Sequence, residues 1–383
     1  MSDSTQGGGL DKTLRSTGSH IKRMVGVMIL WYNIKTMKKV VLTVLGLVVS
    51  SAPATVLENA ELAIELDDAS FAVRSIVNRK ADDVKFVDTP AGTALWTAEF
   101  RAGPADAKPV WLTSNSPCRA KRFERTADGG ATLVWEGLDL GDERAAVTAR
   151  AVVRFAADGA SKWTLDFRNQ SSRYGLFATR YPILPQVAGD GQADCLLPRQ
   201  DVGARFVRGM KRGRTRRFGC MAYFPMMIAF LKGDAGLYFA AHDGEARIKH
   251  LELDKDLGVS FSTPVEDGGL AQRAAEGPRY ETTIAAFKGD WWEAARLYRA
   301  WALKTKWAAK GPIVSRPDYP KRLAEIPVWL NIHGLPAEVS NVMTCARAAF
   351  PNFDCGIHWH VWQHSKHDIN YPEYFPEQEG TGA

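Results

Sequence analysis

Apolar and polar residues alternate along most of the chain between residues 56 and 287. A period of two predicts half-buried β-strands, and turn signals such as Asp158-Gly159 separate the runs. No segment of this range has a convincing helical period. Many antiparallel strands in series predict a mainly β fold built on one large antiparallel β-sandwich. The expected strands are 61–66, 71–77, 94–101, 131–140, 145–155, 162–167, 226–231, 236–241, 247–253, 258–262 and 280–287.

The pattern changes to a helical one after residue 289. Asp290 can cap this helix, Glu293 can complete a capping box, and Gly311-Pro312 is expected to end it. We interpret the helix as a structural wedge between two domains, because its apolar stripe is broad and regular. That stripe consists of Trp291, Ala294, Ala295, Tyr298, Trp301 and Ala302.

A strand at 326–332, a helical pattern at 337–350 and a second strand at 356–364 follow in the order of a βαβ unit. In (β/α)8 barrels the binding residues lie at the C-terminal ends of the strands. Such a barrel takes about 250 residues, whereas 58 follow residue 325. The predicted organisation is therefore an N-terminal extension with a signal peptide (1–54), a β-sandwich (55–289), a linker helix (290–311) and the truncated start of a barrel (312–383).

The positive charge of the chain is concentrated at its beginning. Residues 1–39 hold seven Lys or Arg against two Asp and supply +5 of the formal +6, so no nucleic-acid partner is indicated. A lysine pair, an apolar run at 40–49 and an Ala-Pro-Ala motif ending at Ala54 have the order of a secretory signal peptide. We expect a start at Met37, cleavage after Ala54 and a secreted or periplasmic protein. The apolar run is too short to predict a stable membrane span.

The second strand of the βαβ unit and the loop behind it carry the candidate chemistry. Alternation places His358, His360 and Trp362 on one face, although each histidine alone is compatible with an ordinary core position. Flat indole faces stack on pyranose rings, and polar groups beside aromatic rings are typical of small-molecule sites. The predicted substrate-binding residues are His360, Trp362, Gln363, His364, Asp368 and Tyr371.

Five motifs give the sequence a family resemblance: ADCLLPRQDVGARF at 193–206, GLYFAAHD at 236–243, GDWWEAARLYRAW at 289–301, HWHVWQH at 358–364 and DINYPEYFP at 368–376. Together they are similar to a family of secreted bacterial proteins of unknown function. That family resembles glycoside hydrolases such as the endo-α-N-acetylgalactosaminidases. The resemblance implies a galactose-mutarotase-like supersandwich before a (β/α)8 barrel, and a glycan or polysaccharide as substrate. The sequence departs from the pattern of this family in two ways. It lacks the later barrel strands, and it has the basic run KRGRTRR at 211–217.

The function expected from these motifs is that of the N-terminal part of an exported glycoside-hydrolase-like protein. Glycoside hydrolysis needs two carboxyl groups flanking the scissile bond. Only Asp368 lies at the expected end of a strand, where an Asx-turn is an equal alternative. The catalytic pair is therefore expected beyond residue 383, and this chain alone is expected to be inactive. The alternative is a non-catalytic carbohydrate-binding or structural β-sandwich module.

Two further groups of residues have competing interpretations. His358 and His360, with His364 and Asp368 nearby, have the spacing of a metal-dependent hydrolase, but the sugar-like surroundings favour a site without metal or cofactor. Asp194, Asp201, Arg205 and the pair His242-Asp243 indicate buried ion pairing or turns, or else sugar contact.

The basic run and the cysteines complete the sequence-level predictions. Residues 208–217 form a solvated loop or contact a sulfated or uronate glycan. The five cysteines are widely spaced and lack a C-x-x-C motif, which predicts buried free thiols with at most one disulfide.

Overall fold

The computed structural model describes residues 54–89, 93–103, 108–187, 192–200, 203–265, 277–333, 336–360 and 362. These residues belong to one compact unit. Its strands are β1 (Ala54–Glu58), β2 (Leu62–Asp67), β3 (Val73–Asn78), β4 (Val84–Asp88), β5 (Thr97–Arg101), β6 (Val110–Thr113), β7 (Cys118–Arg125), β8 (Ala131–Leu140), β9 (Glu143–Phe155), β10 (Ser161–Asn169), β11 (Gly175–Leu184), β12 (Gln192–Gln200), β13 (Gly203–Lys211), β14 (Arg216–Gly219), β15 (Tyr223–Phe224), β16 (Met227–Lys232), β17 (Ala235–His242), β18 (His250–Leu253), β19 (Val259–Pro264), β20 (Glu281–Lys288), β21 (Val328–Ile332) and β22 (Cys355–Trp359). Its helices are α1 (Trp291–Ala302), α2 (Lys321–Ala324) and α3 (Pro336–Ala349), with 3₁₀ turns at Lys306–Ala308 and Ile313–Ser315.

Twenty strands form three antiparallel sheets. The largest sheet has the order β13-β12-β16-β17-β20-β10-β9-β8-β7, with β15 paired to β12. A six-stranded sheet has the order β14-β18-β19-β11-β5-β6, and β1 to β4 form a four-stranded meander. The predicted fold class, mainly β with a large antiparallel sandwich, is confirmed.

One hydrophobic core joins the three sheets, and period-two alternation builds it. In β10, Ser161, Trp163, Leu165 and Phe167 are buried, whereas the residues between them are more exposed. Trp96 and Trp135 meet edge to face with ring centroids 5.4 Å apart. Rings in this arrangement add about 0.5–1.5 kcal/mol to the free energy gained by burying them.

Helix α1 packs on the outer face of the ten-stranded sheet and forms a second apolar cluster there. Asp290 accepts a hydrogen bond from the backbone N–H of Trp292 (2.9 Å), so the predicted cap is confirmed, while Glu293 pairs with Arg296. Two expectations are wrong. Trp291 is exposed, and the helix ends at Ala302, where the Thr305 hydroxyl binds its carbonyl.

Residues 193–206 and 208–217 are more regular than the sequence suggested. Asp194 lies in β12 and Arg205 in β13, two paired antiparallel strands at one end of the large sheet. The basic run is therefore strand up to Lys211 and strand again from Arg216, rather than one loop. Charged residues are common on edge strands because they prevent pairing with other chains.

The predicted βαβ unit is present. Strands β21 and β22 pair in parallel, with Asn331 opposite His358, and α3 connects them. Val339 and Ala346 are the buried residues of α3.

Two other sequence expectations concern the cysteines and the membrane. All five cysteines are free thiols, but only Cys195 is fully buried. Within the described part of the chain, no helix is long and apolar enough to cross a membrane.

Candidate functional site

One face of β21 and β22 brings polar and aromatic side chains together, from near the start of each strand to its carboxyl end. Trp329 and Asn331 pair in register with Gly356 and His358, so all four lie on the same face of the two-stranded sheet. The Trp329 ring covers Gly356, where an added Cβ would lie 2.5 Å from the indole. A residue larger than glycine at position 356 would therefore clash with the Trp329 indole.

Three imidazole rings cluster at the end of this face. The rings of His333 and His360 stack with centroids 3.9 Å apart and planes 8° apart. His358 lies 4.1 Å from His360 by ring centroids, with the planes tilted by 45°. The Asn331 side chain also contacts His360 Nε2 through a short hydrogen bond. We call Trp329, Asn331, His333, His358 and His360 the β21–β22 edge.

The β21–β22 edge is open to solvent. Trp329 is 52% exposed, and Asn331, His333 and His358 are exposed as well. Exposed histidines contribute little to packing. An exposed indole leaves apolar surface in contact with water, which is unfavourable for the folded protein. The arrangement offers a flat apolar ring beside amide and imidazole hydrogen-bonding groups, which together can bind a polyhydroxylated ring.

The predicted site residues divide into two groups. His360 belongs to the β21–β22 edge, and Trp362, two residues on, is 37% exposed. The predicted shared face of His358 and His360 is consistent with their ring contact. The other predicted residues, Gln363, His364, Asp368 and Tyr371, lie outside the described residues.

Sequence reasoning missed the residues that β21 contributes. Trp329 and Asn331 occupy alternate positions of β21, and His333 is the residue that follows the strand. Their alternation was the available signal, because the carboxyl ends of neighbouring parallel strands meet at the same edge of a sheet.

The described carboxylates of this region do not form a pair at the edge. Glu325 precedes β21, Glu338 lies in the first turn of α3, and Asp354 precedes β22 at its amino end. A glycosidic bond held at the β21–β22 edge therefore has no pair of described carboxylates beside it, whereas glycoside hydrolysis needs two.

The imidazole geometry also bears on the metal interpretation. Lone pairs of imidazole lie in the ring plane, so two rings stacked in parallel do not direct them to one point. Across the residues that the structure describes, no group of three or more His, Cys, Asp or Glu side chains is arranged to hold a metal ion.

Another histidine, His242, lies under helix α1 at the end of β17. The His242 ring stacks on Trp301 with centroids 4.7 Å apart and planes 9° apart. Lys162 Nζ lies 3.3 Å from Nδ1, and Tyr238 Oη lies 3.0 Å from Nε2. Because an ammonium can only donate, Nδ1 accepts and the Nε2–H donates to the tyrosine oxygen. Burial, reinforced by the charge of Lys162, lowers the pKa of His242 to about 3.

Asp243, the next residue, belongs to a buried ion-pair network. Its carboxylate accepts hydrogen bonds from Lys249 Nζ (2.6 Å) and from the Arg247 guanidinium (3.0 Å). Burial, the largest single influence, raises the pKa of Asp243, but the hydrogen bond and charge of Lys249 and the backbone N–H groups of Glu245 and Arg247 together outweigh burial and lower it. The pairing and turn predicted for Asp243 are confirmed, since the backbone N–H groups of Glu245 and Arg247 also bind this carboxylate.

The remaining candidates of the sandwich have structural contacts. Asp194 accepts a hydrogen bond from the backbone N–H of Gly209 (2.6 Å) and so holds the end of β13. Arg205 is exposed on β13, and Asp201 lies outside the described residues.

The fold defines a class of protein: an antiparallel β-sandwich, a helix packed on its outer face and a parallel βαβ unit. Residues 277–383, which include α1 and the β21–β22 edge, match the family model described as "Domain of unknown function (DUF6259)". The α-N-acetylgalactosaminidase NagBb from Bifidobacterium bifidum has a similar fold, with a TM-score of 0.56, 12% identity and coverage of 85% of this chain and 55% of that one.

Two curated relatives carry related names. A protein of Monosiga brevicollis named "Putative glycoside hydrolase 22789" is 31% identical over 171 residues, which are 38% of this chain and 14% of that protein. One of Bacteroides thetaiotaomicron named "Putative glycoside hydrolase" is 23% identical over 296 residues, or 75% of this chain and 42% of that protein. The chain thus spans less than half the length of either relative, and the predicted resemblance to glycoside-hydrolase-like proteins is confirmed.

Proposed function

We propose that this protein binds a glycan at the β21–β22 edge as part of a glycoside-hydrolase-like protein. The observation that carries the proposal is a solvent-accessible row along one face of two parallel strands, in which Trp329 and Asn331 lead to three imidazoles at the carboxyl ends. The indole is the platform for the apolar face of a sugar ring. The amide and imidazole nitrogens and oxygens are the partners for its hydroxyl groups.

The residues beyond β22 extend the same site in this proposal. Trp362 is a second exposed ring, and Gln363, His364, Asp368 and Tyr371 add hydroxyl contacts. The names of the relatives support a glycan as the ligand class. Hydrolysis itself requires a carboxylate pair, which we place outside the described residues.

A binding measurement with a matched control tests the site. The purified chain is screened against oligosaccharides ending in α-linked N-acetylgalactosamine or galactose, which are the first probes because of the relative NagBb. Trp329→Ala is expected to weaken the best ligand about tenfold, since a stacking ring worth about 1.4 kcal/mol is lost. Trp292→Ala is the control, because this ring is equally exposed (54%) but lies on α1.

Three outcomes contradict parts of the proposal. Equal binding by the wild type and Trp329→Ala places the glycan elsewhere. Binding that survives deletion of residues 312–383 assigns it to the sandwich, as a carbohydrate-binding module would require. About one tightly held zinc ion per chain, lost in His360→Ala, identifies a metallohydrolase instead of a sugar site.

We also propose that the protein is exported. The lysine pair, the apolar run and the Ala-Pro-Ala motif that ends at Ala54 support this. Cleavage after Ala54 leaves Thr55, whose hydroxyl binds Asp68, as the first residue of β1. N-terminal sequencing of the exported protein is expected to begin at Thr55, and a mature chain that retains Met37 contradicts the proposal.

A further inference from the structure

A basic groove lies at the end of the sandwich where β13 leads into β14. Five exposed cationic side chains line it: Arg208, Lys211, Arg212, Arg214 and Arg216. Its volume is about 390 Å³, within the range of about 300–1,000 Å³ that is usual for small-molecule sites. Its apolar lining comes from Met210, Leu253 and Leu257, which are buried. We call this the basic groove.

The positive charge of the basic groove is largely uncompensated. None of its lining residues is acidic. Within the described part of the chain, Arg208, Lys211, Arg214 and Arg216 form no ion pair, whereas the neighbouring Arg217 and Lys255 pair with Glu252 and Asp256. Cations placed side by side repel one another, so an anionic ligand that neutralises them gains free energy on binding.

The backbone of the groove is held by hydrogen bonds at two glycines, one in β13 and one in the connection to β14. Gly209 donates its N–H to Asp194 Oδ1 (2.6 Å), and Gly213 donates to the Lys255 carbonyl (2.8 Å). Both glycines have positive φ, and no atom lies within 4 Å of the Cβ position of either one. The cationic side chains thus extend from a backbone that is already fixed, with open space beside it. A fixed backbone reduces the conformational entropy lost when a ligand binds.

We propose that the basic groove binds the anionic groups of a polysaccharide, either sulfate esters or uronate carboxylates. Guanidinium groups suit both, because their paired N–H donors match two oxygens of the anion. The apolar floor accommodates the carbon skeleton of the sugar between those anions. The inference rests on the proposed function for the ligand being a glycan, but it names a second surface, formed by the sandwich alone.

Nucleic acid is the other polyanion that a basic groove could attract. Proteins that bind single strands stack bases on aromatic side chains, and no aromatic residue is among those that line this groove. Duplex recognition uses an element that enters a groove of the duplex, whereas here the cations surround a concave surface. The geometry therefore favours a sulfated or acidic glycan.

The experiment measures the affinity of the whole chain for heparin, desulfated heparin, polygalacturonate, neutral dextran and a single-stranded DNA. Arg214→Gln/Arg216→Gln removes two cations of the groove. Arg150→Gln/Arg168→Gln is the matched control, since both arginines are exposed on β9 and β10 and the same net charge is lost. The groove variant is expected to bind the acidic glycan at least about tenfold more weakly, and the control within about twofold.

The probes separate the sources of the anion. If heparin binds more tightly than desulfated heparin, the groove recognises sulfate esters. If polygalacturonate binds as tightly as heparin, the groove recognises carboxylates. DNA bound as tightly as the best glycan, an equal loss in the control variant, or no binding of any acidic glycan overturns the proposal. If the basic groove binds the acidic glycan, Trp329→Ala leaves that binding unchanged. A failure of the proposed glycan site at the β21–β22 edge is therefore distinguishable from a failure of the groove proposal.

Discussion

Two histidine-containing regions of the molecule have opposite surroundings. His242 is enclosed under α1, stacked on Trp301 and hydrogen-bonded at both ring nitrogens. His333 and His358 at the β21–β22 edge are exposed, and their rings contact mainly another histidine. The enclosed ring has its hydrogen-bonding capacity used within the fold. The exposed rings leave theirs available to a ligand.

These surroundings, rather than residue type, distinguish the structural His242 from the histidines of the proposed binding site. His242 and Asp243 end a strand with a motif that suggested a site, yet both are held by partners inside the sandwich. Changes in the enclosed region should therefore affect folding, and changes at the edge should affect binding. The predictions below test this contrast in order of expected effect.

The largest effect is expected when the buried ion pair loses its carboxylate. Asp243→Asn leaves Lys249 and Arg247 without their counter-charge, and Lys249 is almost fully buried. Breaking a buried pair in this way costs about 3–5 kcal/mol of unfolding free energy. Urea denaturation measures the loss. Asp142→Asn, which removes the partner of exposed Arg173, is expected to cost at most about 1 kcal/mol, and equal losses in both variants contradict the assignment.

Removing the ring over His242 is expected to have the next largest effect. Trp301 is partly buried against the second apolar cluster, so Trp301→Ala should cost somewhat less than the roughly 3–5 kcal/mol of a fully buried Trp. Trp292→Ala on the same helix removes an exposed ring and should change stability by no more than about 0.5 kcal/mol. If Trp301→Ala has the same melting temperature as the wild type, this ring does not hold α1 on the sheet.

The pH dependence of stability tests whether the fold holds the enclosed His242 neutral. The pKa of His242 is lowered to about 3, so the unfolded chain binds its proton first, near pH 6.5. The stability due to neutral His242 is therefore complete above pH 6.5 and is lost as the pH falls. The loss is about 1.4 kcal/mol per pH unit.

Urea melts between pH 7 and pH 5 measure this slope above the range in which the Asp243 carboxyl titrates. His242→Gln should flatten the curve relative to the wild type. An unchanged slope in His242→Gln shows that this ring is not held neutral by the fold.

Much of the sandwich was predictable because alternation reports burial on one face. Strands such as β8 and β9 have strictly apolar inner positions, and their expected bounds agree with the structure to within two residues. Strands β7 and β13 were missed because they are edge strands with charged residues on both faces. Their regularity comes from hydrogen bonds to a neighbouring strand, which a local pattern of polarity does not record.

The part of the candidate site that β22 supplies was predictable from the sequence, and the part that β21 supplies was not. The alternation of His358 and His360 predicted their shared face from local sequence. Asn331 and His333 come from a strand more than 20 residues earlier, and their place beside His358 depends on the register between β21 and β22. Register follows from the packing of the whole unit, so one strand read alone could not supply it.

The smallest change in stability is expected at the β21–β22 edge itself. His360→Ala removes the hydrogen bond to Asn331 and the stacked contact with His333, which together should amount to about 1 kcal/mol or less in this solvent-accessible position. Binding of the α-N-acetylgalactosaminide probe is expected to fall several-fold in the same variant, because a hydrogen-bonding ring is lost from the proposed site. His360→Asn restores one polar group and should recover part of the affinity. A loss of several kcal/mol with unchanged binding would mean that His360 is structural, as His242 is.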